Sequence, residues 1–467
     1  MGRIDAIYAR LPVWAQHAAV SAFGVYWRQL RFGRGFRQFV NEYAFNERLS
    51  SRDFEAHVQQ SLNNLLKIAA TKVPYYRQTW SDRAKVAAAN GQLKDLPLLE
   101  KDAVRAQPAA FLRDDMAPWY APVFHTSGST GTPIKTIWTV AEYRRALALR
   151  EARSAGWAGV SFRLPRATFS GRMVEPNPSS SGPFYRFNVV ERQVYLSAFH
   201  LRRETAPAYV EAIRRHGVQW LTGYAVSYFL LAKFILEDSI PCPPLRALIP
   251  TSEKVTPAMR DIMERAYGCR VFEEYSTVEN AIFASECEQG RMHVSTDAGI
   301  LEILRPDGSA CEPEEEGEVV ATCLMRTYQP MIRFRLGDMA AWAAESCPCG
   351  RPLPVLKEIL GRIEDVVIGP DGRQMVRFHG IFTDQPHIRE GQIVQEAINR
   401  IRCNVVPTDG FSENDCLEIV RRIQGRLGPE MQVLVECVDS IPRTKAGKFK
   451  AVVSLLKRDV APNHVEN

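Results

Sequence analysis

Residues 122–138 read PVFHTSGSTGTPIKTIW. Apolar and β-favouring residues flank a run of glycines and hydroxyls, which predicts a short strand, a loop and a second strand. A helix is expected to follow from Val140 to Ala155. Glycines let a backbone turn its amides inward, and hydroxyls with a nearby lysine add donors. Thr126, Ser127, Gly128, Ser129, Thr130, Gly131 and Lys135 therefore suit the oxygens of a phosphate, with an ordinary solvent loop as the alternative. A Walker loop is excluded, because no Lys-Ser/Thr follows the second glycine directly into a helix.

Downstream, strands alternate with helices. Helical patterns at 205–216 and 226–237 bracket the strand-like WLTGY, and the strand LRALIPTSE follows. This alternation predicts an α/β domain with a buried, largely parallel sheet. After Ile300 short strands and turns take over (GILEIL, GEVVATCL, MIRFRLGDMAAW), which predicts a small antiparallel β-unit. A turn at Pro370-Asp371-Gly372, a helix over 413–427 and VLVECV form a last, separate group. Upstream, Phe54, Val58, Leu62, Leu65, Leu66 and Ala69 keep helical spacing up to Val73-Pro74, marking scaffold.

The chain has 467 residues, enough for two to four domains, and its 46% hydrophobic and 24% charged residues exclude disordered and collagen-like classes. A net charge of +6 without a basic stripe in the main body gives no sign of nucleic acid. Ten cysteines are too sparse for a disulfide scaffold, so a reducing, cytoplasmic compartment is expected. The apolar run from Leu11 to Trp27 carries Gln16 and His17 and precedes Arg28, Arg31, Arg34 and Arg37. It fits neither a signal peptide nor a membrane span. Two readings stay open: a helix packed on the body, or one lying on a membrane surface.

Four further segments fall in order after the loop: EEYSTVE (273–279), FRLGD (334–338), GRIED (361–365) and IPRTKAGK (441–448). With TSGSTGTPIK they resemble the ordered motifs of the adenylate-forming, acyl-CoA synthetase-like superfamily. VPYYR, LSAFHL and LTGYAVSY resemble its phenylacetate-CoA ligase and CapK-like branch, and the likeness covers nearly the whole length.

The resemblance implies roles residue by residue. Glu279 would hold Mg²⁺ on the ATP phosphates, Tyr275 would stack on adenine, and Ser252 and Glu253 would line the adenine pocket. Asp338 would accept both ribose hydroxyls, Arg362 would sit near ribose and phosphate, and Lys448 would be the catalytic lysine that offsets charge at the forming acyl-phosphate bond. Glu364 would be the hinge of a mobile C-terminal domain. Two positions depart from the family pattern: Ser276 replaces its glycine, and Val278 replaces the hydroxyl residue before the glutamate, leaving Thr277 as the nearest hydroxyl.

Cys287 and His293 in SECEQGRMH, with Cys347 and Cys349 in SCPCGRP, supply three thiolates and an imidazole, a set suited to structural Zn²⁺. The segment 170–188 is expected to shape an acyl pocket, with Arg172, Phe184, Tyr185 and Phe187 either lining it or serving as ordinary packing.

The expectation is thus an α/β protein. A large N-terminal domain over 1–362 would have α/β sheets and a small β-rich unit, and a small mobile α+β domain over 363–467 would carry the lysine loop. It would use ATP, Mg²⁺ and coenzyme A to activate an aryl or arylacetic acid, with no nucleic-acid partner. Transfer to an amine, a glycan hydroxyl or a carrier thiol is the alternative, since CapK-like relatives are associated with polysaccharide loci. A non-catalytic adenylate-binding protein is the rival from another class.

Overall fold

In a computed structural model the described residues are 3–125, 134–170, 174–175, 177, 180–362, 367–370, 374–375, 379–382, 385–442 and 449–456. The chain divides into two compact units, Met1–Ile359 and Leu360–Asn467.

The first unit holds a six-stranded sheet in the order Tyr185–Asn188, Gln193–Ser197, Arg166–Ser170, Trp220–Tyr224, Ala247–Thr251, Arg270–Val271. All its pairings are parallel except the one made by the edge strand Tyr185–Asn188. Alternate residues serve opposite faces. Leu221 and Leu248 pack with Tyr209, Tyr228 and Met263 from the helices Ala206–Arg215, Ala225–Glu237 and Pro257–Tyr267. Trp220, Ala247 and Ile249 pack on the other side with Ala155 and Val160. Gly223 (φ +119°) must be glycine, because a Cβ there would lie 1.9 Å from the Phe169 carbonyl oxygen.

A second, seven-stranded sheet in the same unit orders its strands Gly299–Leu304, Glu316–Cys323, Phe334–Trp342, Val355–Arg362, Met292–Val294, Phe283–Glu286, Glu274–Ser276. Its registers include Ile300↔Thr322 and Ala284↔Val294, both antiparallel. The antiparallel region therefore starts at Glu274, well before the expected Ile300. Its first three strands have only three or four residues each, too few for alternation to emerge in the sequence. It is part of the large unit, for Val319, Ala321, Phe334 and Leu336 share one core with Leu62, Leu65, Leu66 and Ala69 of the helix Ser51–Lys72. Ser50 Oγ caps that helix by accepting from the Asp53 amide at 3.2 Å.

A buried ion pair joins these layers. Arg153 donates to both Asp297 oxygens at 2.7 and 2.8 Å, and Asn46 Nδ2 adds a third bond at 3.0 Å.

The helix Val13–Phe32 lies along the edge strand Tyr185–Asn188, where unpaired backbone would otherwise be exposed. His17 Nδ1 accepts from the Phe187 amide at 2.9 Å, Ser21 Oγ accepts from the Val189 amide at 3.2 Å, and Arg186 Nε donates to Gln16 Oε1 at 2.6 Å. No helix among the described residues is long and apolar enough to cross a membrane.

The second unit has a four-stranded sheet, Gln432–Cys437, Arg400–Pro407, Ile388–Ala397, Val452–Ser454, with an antiparallel central pair and parallel outer pairings. Ile419, Ile423 and Leu427 of the helix Glu413–Leu427 pack on Ile393, Ile401, Cys403 and Val405. That helix starts where the Ser412 amide donates to Asp415 Oδ2 at 2.8 Å.

Candidate active site

In open α/β sheets, ligands sit beyond the carboxyl ends of the strands. At that end of Ala247–Thr251 the chain turns through Ser252 in the left-handed region (φ +70°). Glu253 follows, and its Oε2 accepts from the Val226 amide at 2.9 Å in the first turn of Ala225–Glu237. Ser252 is exposed and Glu253 half-buried.

Tyr275 stands on the edge strand of the second sheet, and its hydroxyl donates to Asp338 Oδ2 at 2.7 Å. Asp338 is buried on Phe334–Trp342, directly after Gly337 (φ +70°). A Cβ on Gly337 would lie 2.9 Å from Lys101 Nζ, so an ammonium group reaches this turn.

Glu279 is buried, and its carbonyl accepts from Arg326 Nη1 at 2.7 Å. Arg326 also donates to the Ile137 carbonyl at 2.9 Å and Gln329 Oε1 at 2.8 Å, and it lies 4.2 Å from the Trp138 ring centroid. Complete burial lowers the pKa of its guanidinium, opposed by Cys323, Glu142 and Glu279. Gln329 in turn accepts from the Ile137 amide at 2.8 Å. Arg326 and Gln329 thus fasten the Glu279 segment to the strand Lys135–Ile137, which pairs antiparallel with Val123–His125.

The turn Thr277–Asn280 is closed by the Asn280 amide on the Thr277 carbonyl at 2.9 Å. Thr277 Oγ1 is buried and has no hydrogen-bond partner among the described residues. Val278 is 42% exposed and Ser276 is exposed as well. The two residues that depart from the family pattern therefore face outward, and the neighbouring hydroxyl faces inward.

Where the hairpin of Phe283–Glu286 and Met292–Val294 pairs with the start of Val355–Arg362, the four metal candidates meet. One ligand atom from each of Cys287, His293, Cys347 and Cys349 lies within 4.8 Å of all the others. Cys287 Sγ and Cys347 Sγ are 3.7 Å apart, and Cys349 Sγ is 3.4 Å from His293 Nε2. Metal–sulfur bonds of about 2.3 Å at tetrahedral angles put sulfurs about 3.8 Å apart. The donor set therefore fits Zn²⁺. His293 Nδ1 is 3.0 Å from the Leu353 carbonyl, which as acceptor leaves Nε2 facing the thiols. Burial lowers the His293 pKa and pushes Cys347 up to about 12. At Cys349 burial is outweighed by hydrogen bonds from the Arg351 backbone and guanidinium, which hold the thiol below its usual range.

Residues 368–455 match the family model of the CapK C-terminal domain. Protein CapK of Staphylococcus aureus is 24% identical over 394 residues, covering 80% of this chain and 82% of that one. Phenylacetate-coenzyme A ligase of Thermus thermophilus is 26% identical over 242 residues, 44% of this chain and 53% of the relative. Among solved structures, a 2-hydroxyisobutyryl-CoA ligase in its postadenylation state with R3-HIB-AMP superposes with a TM-score of 0.68 at 22% identity, covering 89% of this chain and 92% of that one. The chain is thus similar to CapK and to phenylacetate-CoA ligase in sequence, and to an acyl-CoA ligase in fold.

Against this CapK-like background some of the motif residues meet and others fall outside the described residues. Tyr275 with Asp338, and Glu279 with the strand carrying the exposed Lys135, are brought together. Thr126, Ser127, Gly128, Ser129, Thr130, Gly131, Arg172, Glu364 and Lys448 lie outside the described residues. Arg362 ends the strand Val355–Arg362, and its side chain is also outside them.

The three aromatic rings of the pocket candidate all have packing partners. Phe184 stacks on His200 and Tyr209, Phe187 on His216, and Tyr185 contacts His17 and His216. Lys101 and Arg326 were not singled out by the sequence. Lys101 lies in no motif, and Arg326 falls between GEVVATCL and MIRFRLGDMAAW, outside every motif.

Proposed function

We propose that this protein is an ATP-dependent ligase that activates a carboxylic acid as an acyl-adenylate and passes the acyl group to coenzyme A. A carboxylate oxygen attacks the α-phosphorus of ATP, the bond to the pyrophosphate leaving group breaks, and a mixed anhydride with AMP forms. A thiol then attacks the carbonyl carbon, loses its proton and expels AMP. The reading is carried by the Tyr275–Asp338 hydrogen bond, which joins the adenine and ribose candidates at one point.

In this reading Asp338, a carboxylate with two acceptor oxygens, accepts the ribose hydroxyls. Thr277, whose buried hydroxyl has no hydrogen-bond partner among the described residues, is the proposed donor to a phosphate, and the ammonium of Lys448 offsets charge at the α-phosphate. Glu279, a buried carboxylate, is the residue that would hold Mg²⁺, an ion that neutralises phosphate charge when bound. Glu364 is the pivot between adenylation and transfer. Zn²⁺ on Cys287, His293, Cys347 and Cys349 is structural, since four protein ligands leave no open position. The proposed substrate class is an aryl or arylacetic acid.

A second reading keeps adenylation and changes the acceptor to an amine, a glycan hydroxyl or a carrier-protein thiol. It is favoured by the match to CapK, which spans 80% of the chain against 44% for the phenylacetate-CoA ligase.

Pyrophosphate release across a library of carboxylic acids, with and without coenzyme A and with mass analysis of the products, tests both readings. Acid-dependent pyrophosphate with an acyl-CoA product is expected. Acid-dependent release without acyl-CoA favours the second reading, and no acid-dependent release overturns both.

A further inference from the structure

We propose that the outer face of the helix Val13–Phe32, together with Trp119, docks on an anionic membrane surface. This goes beyond the ligase reading and does not depend on it. A helix on a soluble protein normally turns a polar face outward. Here Trp14, Ala18, Ala22, Val25 and Tyr26 share the exposed side, and Trp14 is 74% exposed. Gln16, His17 and Ser21 hold the helix to the edge strand.

The apolar surface continues onto a neighbouring loop. The Tyr26 and Tyr120 hydroxyls are hydrogen-bonded, and the Tyr120 ring centroid is 5.7 Å from that of Trp119, which is 92% exposed. Tryptophan and tyrosine combine an apolar body with a polar tip and favour the headgroup level of a bilayer.

Charge identifies the occupant. Residues 6–41 contain five arginines, Arg10, Arg28, Arg31, Arg34 and Arg37, and neither Asp nor Glu. Arg31 is paired with Glu191. Arg10, Arg28, Arg34 and Arg37 are exposed, and no ion pair is recorded for any of them among the described residues. The acidic residues near Trp119 are already neutralised, Asp114 by Arg77 and Asp115 by Arg113. An apolar face bounded by cations, with neither Asp nor Glu over residues 6–41, suits a helix lying in the plane of an anionic bilayer, whereas a protein partner would more often be met by both signs of charge.

The test is co-sedimentation of the full chain with vesicles of phosphatidylcholine alone and with vesicles enriched in phosphatidylglycerol. Binding to the anionic vesicles that weakens as salt is raised is expected, with a blue shift of tryptophan emission. Trp14→Ser/Trp119→Ser should reduce partitioning at least about tenfold and remove the shift. Arg34→Gln/Arg37→Gln should reduce it about fivefold per arginine. These side chains are exposed, so thermal melting of both variants should match the parent. Equal binding by parent and tryptophan variant, or no binding to anionic vesicles, overturns the proposal. So does a dimer seen by light scattering that Trp14→Ser/Trp119→Ser dissolves, since a second copy would then cover the face.

Discussion

Tyr275 and Asp338 stand on strands that are seventh and third in one sheet, yet the phenol donates to the carboxylate at 2.7 Å. The two strands are not neighbours in sheet order, so the contact is tertiary rather than a cross-strand pair. Asp338→Ala should remove ATP-dependent activity without unfolding the chain, because a lost charge-assisted pair of bonds costs about 2–4 kcal/mol. Tyr275→Phe keeps the ring and should cost only about 1 kcal/mol. Nucleotide affinity by calorimetry, with thermal melting as a folding check, distinguishes them. Unchanged affinity in Asp338→Ala would remove the carboxylate from the nucleotide site.

Thr277 and Val278 should behave oppositely. The buried Thr277 hydroxyl lacks a partner among the described residues, and Val278 is outward. Thr277→Val should slow acid-dependent pyrophosphate release by about 10- to 100-fold, the worth of a hydrogen bond to a charged group. Val278→Thr should leave it within about twofold, since an exposed hydroxyl gains little. Loss in the second variant rather than the first would reverse the assignment.

Protein prepared without chelator should contain about one zinc per chain, from four ligands filling one tetrahedral ion. Cys347→Ser/Cys349→Ser should lose the metal and melt at lower temperature. Metal content by mass spectrometry decides the matter, and a metal-free parent would show the four side chains to be packing only.

The Arg153–Asp297 pair sets an acid limit on stability. Burial alone would raise the Asp297 pKa, but the Arg153 charge and its hydrogen bonds outweigh burial and leave the carboxyl below its ordinary value. A carboxylate with a depressed folded pKa stabilises the fold above its unfolded value, about 3.9, and that contribution is lost as pH falls toward the folded value. The melting temperature should therefore hold above about pH 5 and drop below about pH 4. Arg153→Met should cost about 3–5 kcal/mol near neutrality, because it strands a buried charge. Urea unfolding at several pH values measures both.

Lys448→Ala should slow adenylation by about 10²–10³, as expected for removing a positioned cation, and largely spare transfer from supplied acyl-AMP. Lys445→Ala is the control. Equal losses in both half-reactions would contradict a lysine that acts in one domain arrangement.

The sequence made some of this visible and hid the rest for identifiable reasons. Asp338, Tyr275 and Glu279 sit in short motifs whose resemblance to the adenylate-forming superfamily implied their roles, and the alternation around WLTGY exposed the parallel sheet. Arg153 and Asp297 are 144 positions apart and look like two surface charges until the fold buries them together. Lys101 is invisible for a similar reason, since only the tertiary approach to Gly337 gives it a place. Strands of three residues, such as Glu274–Ser276, are too short for a period of two to be read.

Arg326 also bears on how such an enzyme tolerates redesign. Its planar fork reaches three acceptors, the Glu279 and Ile137 carbonyls and Gln329 Oε1, in directions that the compact ammonium of a lysine cannot span. The joint is shared between two stretches of chain, so a substitution that shifts either stretch displaces the other. Efforts to broaden the range of acids should therefore leave Trp138, Arg326 and Gln329 fixed and concentrate their diversity elsewhere.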